Sequence, residues 1–148
     1  MKKLKHYGFN ETTLCLLNSY LSNRCQYTYV NEHFSQRSTI SQGVPQGSIL
    51  GPLLFNIFIN DIVNVSDILS YILYADDSNM FHSDHNITKL VNEMNNELRK
   101  IAEWFKANQL IVNMDKTHFV IFSRKRILEN ISIYLNDIKL KEKIPQNS

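Results

Sequence analysis

The chain has 148 residues, 43% hydrophobic and 11% aromatic, which suits one domain with a buried core. Its formal charge of +2 is too weakly basic to announce nucleic-acid binding by itself. The longest apolar stretch, around residues 49–62, is too short and interrupted to span a bilayer, and no apolar core follows Met1-Lys2-Lys3 to make a secretory signal. Cys15 and Cys25 lack partners at metal-finger spacing, so both read as reduced, buried or half-buried thiols of an intracellular protein.

In chain order, Asn10 can cap a helix running to about Leu21, with Leu14, Leu17 and Leu21 as its buried stripe. Ser22-Asn23 ends it. Residues 26–31 alternate Tyr27 and Tyr29 against Thr28 and Val30, a strand pattern. A glycine-rich loop and its helix occupy residues 41–62, and a hairpin spans roughly residues 69–81. From Ile87 to Phe105, apolar residues recur at helical spacing, with Asn95, Asn96, Lys100 and Glu103 on a solvated face. Residues 110–112, 117–122 and 131–135 read as strands, the last pairing with 138–140 across Asn136-Asp137. This order predicts an α+β fold over residues 1–140, an antiparallel sheet with helices packed on one face, then a frayed tail over 141–148. No low-complexity linker divides it.

Two segments carry the chemistry. In Tyr71-Ile72-Leu73-Tyr74-Ala75-Asp76-Asp77-Ser78-Asn79-Met80-Phe81, two adjacent carboxylates sit between apolar runs without a neighbouring Lys or Arg. Successive side chains of a strand point to opposite faces, so Asp76 and Asp77 share a side only at a tight turn, and Asp-Asp-Ser-Asn is turn chemistry. Such a tip repels itself unless a hard divalent cation sits on it. Taken alone, the pair also reads as an ordinary solvated turn. The second segment concentrates Gly43, Pro45, Gly47, Gly51 and Pro52 in a chain with only four Gly and three Pro. Glycines let backbone approach a ligand, and prolines fix the entry into the following helix, where Pro52 suits an early position.

Together the two segments resemble a reverse transcriptase, most similar to those of non-LTR retrotransposons. In that family a Gln-Gly-x-Pro-Gln-Gly-Ser loop, here residues 42–48, precedes a helix, and Tyr-Ala-Asp-Asp, here residues 74–77, forms the metal-binding hairpin of the polymerase palm. The likeness extends from about Leu4 to Leu140, through Tyr7-Gly8-Phe9 and from Trp104-Phe105 to Lys116-Thr117. It implies nucleotidyl transfer to a primer 3′-hydroxyl, copying RNA into DNA with Mg²⁺, or Mn²⁺, as cofactor. Asp76 would be a direct metal ligand and Asp77 a second one. Tyr74 and Ala75 would lie under the primer end and nucleotide, while Pro45, Gln46 and Gly47 would line the nucleotide and template side. Lys116 would neutralise or protonate the pyrophosphate, although it also reads as an ordinary surface lysine. The implied partners are an RNA template, a DNA primer and deoxynucleotides, with no membrane.

Relatives place a further Asp on a strand before the segment like residues 3–9, and fingers, primer grip and thumb beyond these limits. The expectation is therefore an incomplete palm, inactive alone, or else a catalytically dead nucleic-acid-binding or non-functional remnant. A hairpin lacking its neighbouring strand would expose an edge flanked by Ile72, Leu73, Met80 and Phe81, and so self-associate. His82, Asp84 and His85 could be drawn as a metal cluster but read better as solvated, as does the basic turn Arg124-Lys125-Arg126. Asp61, at the end of the helix after the loop, reads as a solvated helix end and not as a replacement carboxylate.

Overall fold

Helix α1 (Lys2–His6) opens the chain, and α2 (Glu11–Leu21) follows from its predicted cap: Asn10 Oδ1 accepts the Thr13 amide at 2.8 Å. The structure, a computed structural model, describes residues 1–40, 43–45, 47–123 and 130–144, and divides into the units Met1–Asn60 and Asp61–Ser148. In the first unit, Leu14 and Leu17 of α2 pack with Leu4 and with Leu54 of α3 (Leu50–Ile59). Lys3 fastens α3 at its far end. Its ammonium donates to the Phe58 carbonyl at 2.8 Å and lies over the Phe58 ring, placing positive charge where the helix dipole is negative.

Between α2 and α3 runs a two-stranded antiparallel ribbon. Strand β1 (Arg24–Gln26) pairs with β4 (Ser38–Ile40), and β2 (Tyr29–Val30) pairs with β3 (His33–Phe34). Asn31 and Glu32 close the tip with φ of +48° and +65°, the pattern of a type I′ turn. The single strand predicted over residues 26–31 is thus broken in two. The register shifts between the ladders because the return strand carries an extra residue there, and Ser35 Oγ takes the Thr28 amide at 2.8 Å. Cys15 and Cys25 are free, as predicted, but both are exposed, because Cys15 lies on the outer face of α2 and Cys25 on this ribbon.

The second unit contains a 3-10 helix (Asn60–Val65, beginning at the unit boundary), the hairpin β5 (Ser70–Tyr74) and β6 (Asp77–Phe81), α4 (Ile87–Ala107), β7 (His118–Phe119), β8 (Tyr134–Leu135), β9 (Ile138–Lys139) and β10 (Lys141–Glu142). Asn86 caps α4 by accepting the Lys89 amide at 3.0 Å. The predicted apolar stripe of α4 is the core: Leu98 and Ala102 pack with Ile133, Leu135 and Leu140, while Met80 brings one face of the hairpin onto the cluster. Asn136 and Asp137 both have positive φ, making the predicted turn between β8 and β9.

The solvated face of α4 is narrower than its sequence suggests. Asn95 donates to the Ser132 carbonyl at 3.0 Å and accepts the Tyr134 amide at 2.8 Å, so it ties the helix to β8 instead of facing water. Glu97 is buried, and the Lys100 ammonium, 2.8 and 2.9 Å from its two oxygens, holds its carboxyl below the usual carboxylate range. Residues 110–112 form no strand: the chain leaves α4 through Gln109 in the left-handed region, and Ile111 projects into solvent. Of the strand predicted over residues 117–122, only His118–Phe119 pairs among the described residues, in parallel with β10. Lys141 and Glu142, predicted to fray, therefore belong to a ladder; residues 145–148 lie outside the described ones. Among the described residues the fold is mixed α and β, its strands paired two by two, four pairs antiparallel and one parallel, where a single antiparallel sheet was predicted. Each strand finds a single partner among the described residues.

Candidate functional site

The hairpin β5–β6 pairs in register from Ser70 with Phe81 to Tyr74 with Asp77, leaving a two-residue loop of Ala75 and Asp76. The turn is therefore tighter and earlier than Asp-Asp-Ser-Asn suggests, and Ser78 and Asn79 belong to the ladder. Side chains alternate along both strands. Tyr71, Leu73, Ser78 and Met80 face inward, half-buried, while Ile72, Tyr74, Asp77, Asn79 and Phe81 face outward. Asp76 sits in the loop and Asp77 one residue later at the start of β6, both exposed. Neither carboxylate forms an ion pair among the described residues. Negative charge is thus concentrated at an exposed chain reversal, beside the Tyr74 ring, which is 78% exposed.

Ala75 bears a cost for this geometry. Its φ is +52°, whereas Asp76 stays outside the left-handed region, and a β-carbon makes that conformation unfavourable by about 1–2 kcal/mol. Glycine is the usual solution where only the first central residue of a hairpin loop has positive φ. The ladder on both sides holds the alanine in place.

Behind the hairpin lies an ionic network that single residues did not disclose. His82 Nε2 lies 2.7 Å from Glu93 Oε2, and the His82 side chain is only 12% exposed. The prediction of a solvated His82 therefore fails, because the residue leaves β6 directly against α4. Asp84 accepts the Asn86 amide at 2.8 Å and pairs with Lys89 at 2.6 Å, which depresses the carboxyl pKa and raises that of the ammonium. The network has a structural role, joining the end of β6 to the start of α4. No group of three His, Cys, Asp or Glu side chains able to hold a metal occurs among the described residues. Below the hairpin, burial pushes the Tyr71 hydroxyl above its ordinary 10.0.

The glycine-rich loop belongs to the first unit. Arg24 donates to the Gly43 carbonyl at 2.7 Å, and the Ser48 amide reaches the Pro45 carbonyl at 3.3 Å, forming a turn in which Gly47 has φ +77°. Ser48 Oγ accepts the Gly51 amide at 2.9 Å and so caps α3, with Pro52 in the first turn as predicted. Ser41, Gln42 and Gln46 lie outside the described residues, as does Arg124-Lys125-Arg126. Gly51 is required by packing, since a β-carbon there would meet Ser48 Oγ at 2.8 Å and Val44 Cγ2 at 3.3 Å. Gly51→Ala gains about 1 kcal/mol of helix propensity but disturbs a cap worth about 1 kcal/mol and overfills a site at a cost of about 1–3 kcal/mol. The expected net loss is roughly 1–3 kcal/mol, read from urea unfolding; a stabilised variant would show that the junction is looser than described.

Lys116 is exposed in a turn after α4, where its amide reaches the Asn113 carbonyl at 3.2 Å. It forms no ion pair with Asp76 or Asp77. Tyr74, Ala75, Asp76 and Asp77 thus come together at one hairpin end, while Pro45 and Gly47 occupy the loop of the other unit.

Residues 1–143 match the family of reverse transcriptases (RNA-dependent DNA polymerases). A probable RNA-directed DNA polymerase from transposon BS of Drosophila melanogaster is 32% identical over 119 residues, covering 76% of this chain and 13% of that relative. The RNA-directed DNA polymerase from mobile element jockey, of the same organism, is 27% identical over 74% of this chain and 13% of its own length. A probable RNA-directed DNA polymerase from transposon X-element, also from the fly, is 28% identical over 75% of this chain and again 13% of itself. The chain therefore spans about an eighth of the length of the curated relatives it matches. No solved structure matches it. Since the match runs through both the paired carboxylates and the loop that caps α3, the chain belongs to the reverse transcriptase family.

Proposed function

We propose that this chain carries the metal-binding hairpin and the nucleotide-side loop of an RNA-directed DNA polymerase palm. The observation that supports this most is the hairpin end, where Asp76 and Asp77 stand adjacent, exposed and without a paired cation among the described residues. Their carboxylate oxygens fit a hard divalent ion, Mg²⁺ or Mn²⁺, which when bound stabilises the attacking and leaving oxygens of nucleotidyl transfer. Asp76 is the direct ligand and Asp77 the second. Tyr74 and the small Ala75 floor the primer end and nucleotide, and Pro45, Gln46 and Gly47 serve the nucleotide and template. Lys116 neutralises the pyrophosphate or gives it a proton. RNA template, DNA primer and deoxynucleotides are the partners of the whole enzyme. The hairpin, a two-stranded sheet with free edges, also promotes self-association at high concentration.

Two carboxylates hold such an ion weakly, because protein sites for it use more oxygen ligands or substrate phosphates. The 148-residue chain alone therefore does not extend a primer. Titration with Mn²⁺, followed by water-proton relaxation, should show weak binding that disappears in the Asp76→Asn, Asp77→Asn double variant. Unchanged binding in that variant would remove the hairpin from the proposed site.

A further inference from the structure

The ribbon between α2 and α3 has a feature the polymerase reading does not use. Every residue from 25 to 39 is exposed, so both faces of the ribbon lie open. Its large apolar side chains form a contiguous group. The Phe34 ring lies 5.4 Å from that of Tyr27, edge-on, and 4.6 Å from that of Tyr29, tilted by 35°. Tyr29 pairs directly with Phe34 across the strands, and Tyr27, two residues before Tyr29, shares their face. The three rings are 52–66% exposed. They bury little within this chain, and an isolated two-stranded ribbon is marginal in water.

We propose that this face is a stacking platform for unpaired bases of single-stranded nucleic acid, outside the nucleotidyl-transfer site. The proposal rests on the polymerase reading for its class of ligand. Its composition favours bases over a protein partner. Residues 24–40 contain no Leu or Met, and three of the exposed large apolar side chains are aromatic. The other exposed side chains of the ribbon include Gln26, Thr28, Ser35 and Gln36, polar groups that remain satisfied when an open strand leaves water around them. Arg37, exposed on the return strand, is available to a phosphate, while Arg24 is held by the Gly43 carbonyl. A ring face accepts any base, so the platform holds a strand without reading its sequence.

The test is fluorescence anisotropy of labelled 12-nucleotide oligo(U) and oligo(dT) with the full 148-residue chain, in EDTA. Both oligonucleotides should bind, with similar affinity, since stacking does not involve the sugar hydroxyl. Tyr29→Ala and Phe34→Ala should each weaken binding by roughly 5- to 150-fold, the range for loss of one stacked base. Phe34→Leu should weaken it comparably, because leucine keeps apolar area but not the ring. Arg37→Ala should lower the slope of affinity against salt by about one. Unchanged affinity in the Ala and Leu variants, or equal affinity for a blunt duplex, overturns the proposal. So does a sedimentation result in which Phe34→Ala only dissociates a dimer, which would assign the face to a second copy. These substitutions lie at exposed positions, and circular dichroism of each variant reports whether the fold is kept. The assay offers neither primer end nor metal, so failure here leaves the polymerase reading standing, and loss of the Mn²⁺ site leaves this proposal standing.

Discussion

Replacing Asp76 by Asn should abolish primer extension. The experiment needs an enzyme with every other part in place, so residues 1–140 are grafted over the matched segment of the transposon BS polymerase. Incorporation of one nucleotide on an RNA template with a DNA primer is then followed by quenched flow. The substitution keeps the shape of the side chain and removes its charge and its affinity for a divalent ion. Because Asp76 sits exposed in a two-residue loop, the fold has no reason to suffer. The expected loss is roughly a thousandfold or more, the scale of removing fixed electrostatic stabilisation from a transition state in which charge develops. Lys116→Ala should slow the same enzyme by about a hundredfold, as expected when a proton donor is lost but the metal site remains. Extension that survives Asp76→Asn would overturn the assignment of the hairpin itself. Extension by the ungrafted chain would show that two carboxylates suffice, contrary to the proposal.

Two isoleucines ten residues apart should differ most in stability. Ile101 in α4 is 0% exposed, whereas Ile111 beyond it is 98% exposed. Ile101→Ala removes three buried carbons and leaves a cavity among packed neighbours, at a cost of about 2–5 kcal/mol. Against a total stability of about 5–15 kcal/mol for a typical domain, that is a large share. Ile111→Ala changes a side chain that touches little and should stay within about 0.5 kcal/mol. Urea unfolding of the second unit, followed by the fluorescence of Trp104, measures both. With a slope of about 1–3 kcal/mol per molar urea, Ile101→Ala should move the midpoint down by roughly 1–2 M and Ile111→Ala hardly at all. Equal midpoints would mean that α4 does not pack on its predicted face.

Local rules carried much of the fold. Asn10 lies at the start of α2 as capping chemistry predicts, and the leucine and isoleucine stripes of α2 and α4 lie inside. The hairpin was legible from the apolar runs on either side of Ala75-Asp76-Asp77, and the β8–β9 turn from Asn136-Asp137. Each of these signals is contained in residues a few positions apart, where periodicity and backbone preference suffice. The exposure of the paired carboxylates at the hairpin end was legible for the same reason, although Asp77 belongs to the ladder and only Asp76 to the loop.

What sequence alone determined, then, is helices α2, α3 and α4, the hairpin that carries Asp76 and Asp77, and the family motif around them. Tertiary structure decided which polar groups are used. Asn95 looked solvated until the strand 37 to 39 residues later brought it a carbonyl and an amide. His82 looked solvated until Glu93 of α4 met it across 11 positions. Residues 110–112 had the composition of a strand and no partner among the described residues, since strand formation needs a second chain segment that periodicity cannot name. Ala75 took up left-handed backbone because the register from Ser70–Phe81 to Tyr74–Asp77 left only two residues for the reversal. In each case the outcome depends on desolvation and on hydrogen bonds between residues distant in sequence, which exist only after the chain has folded.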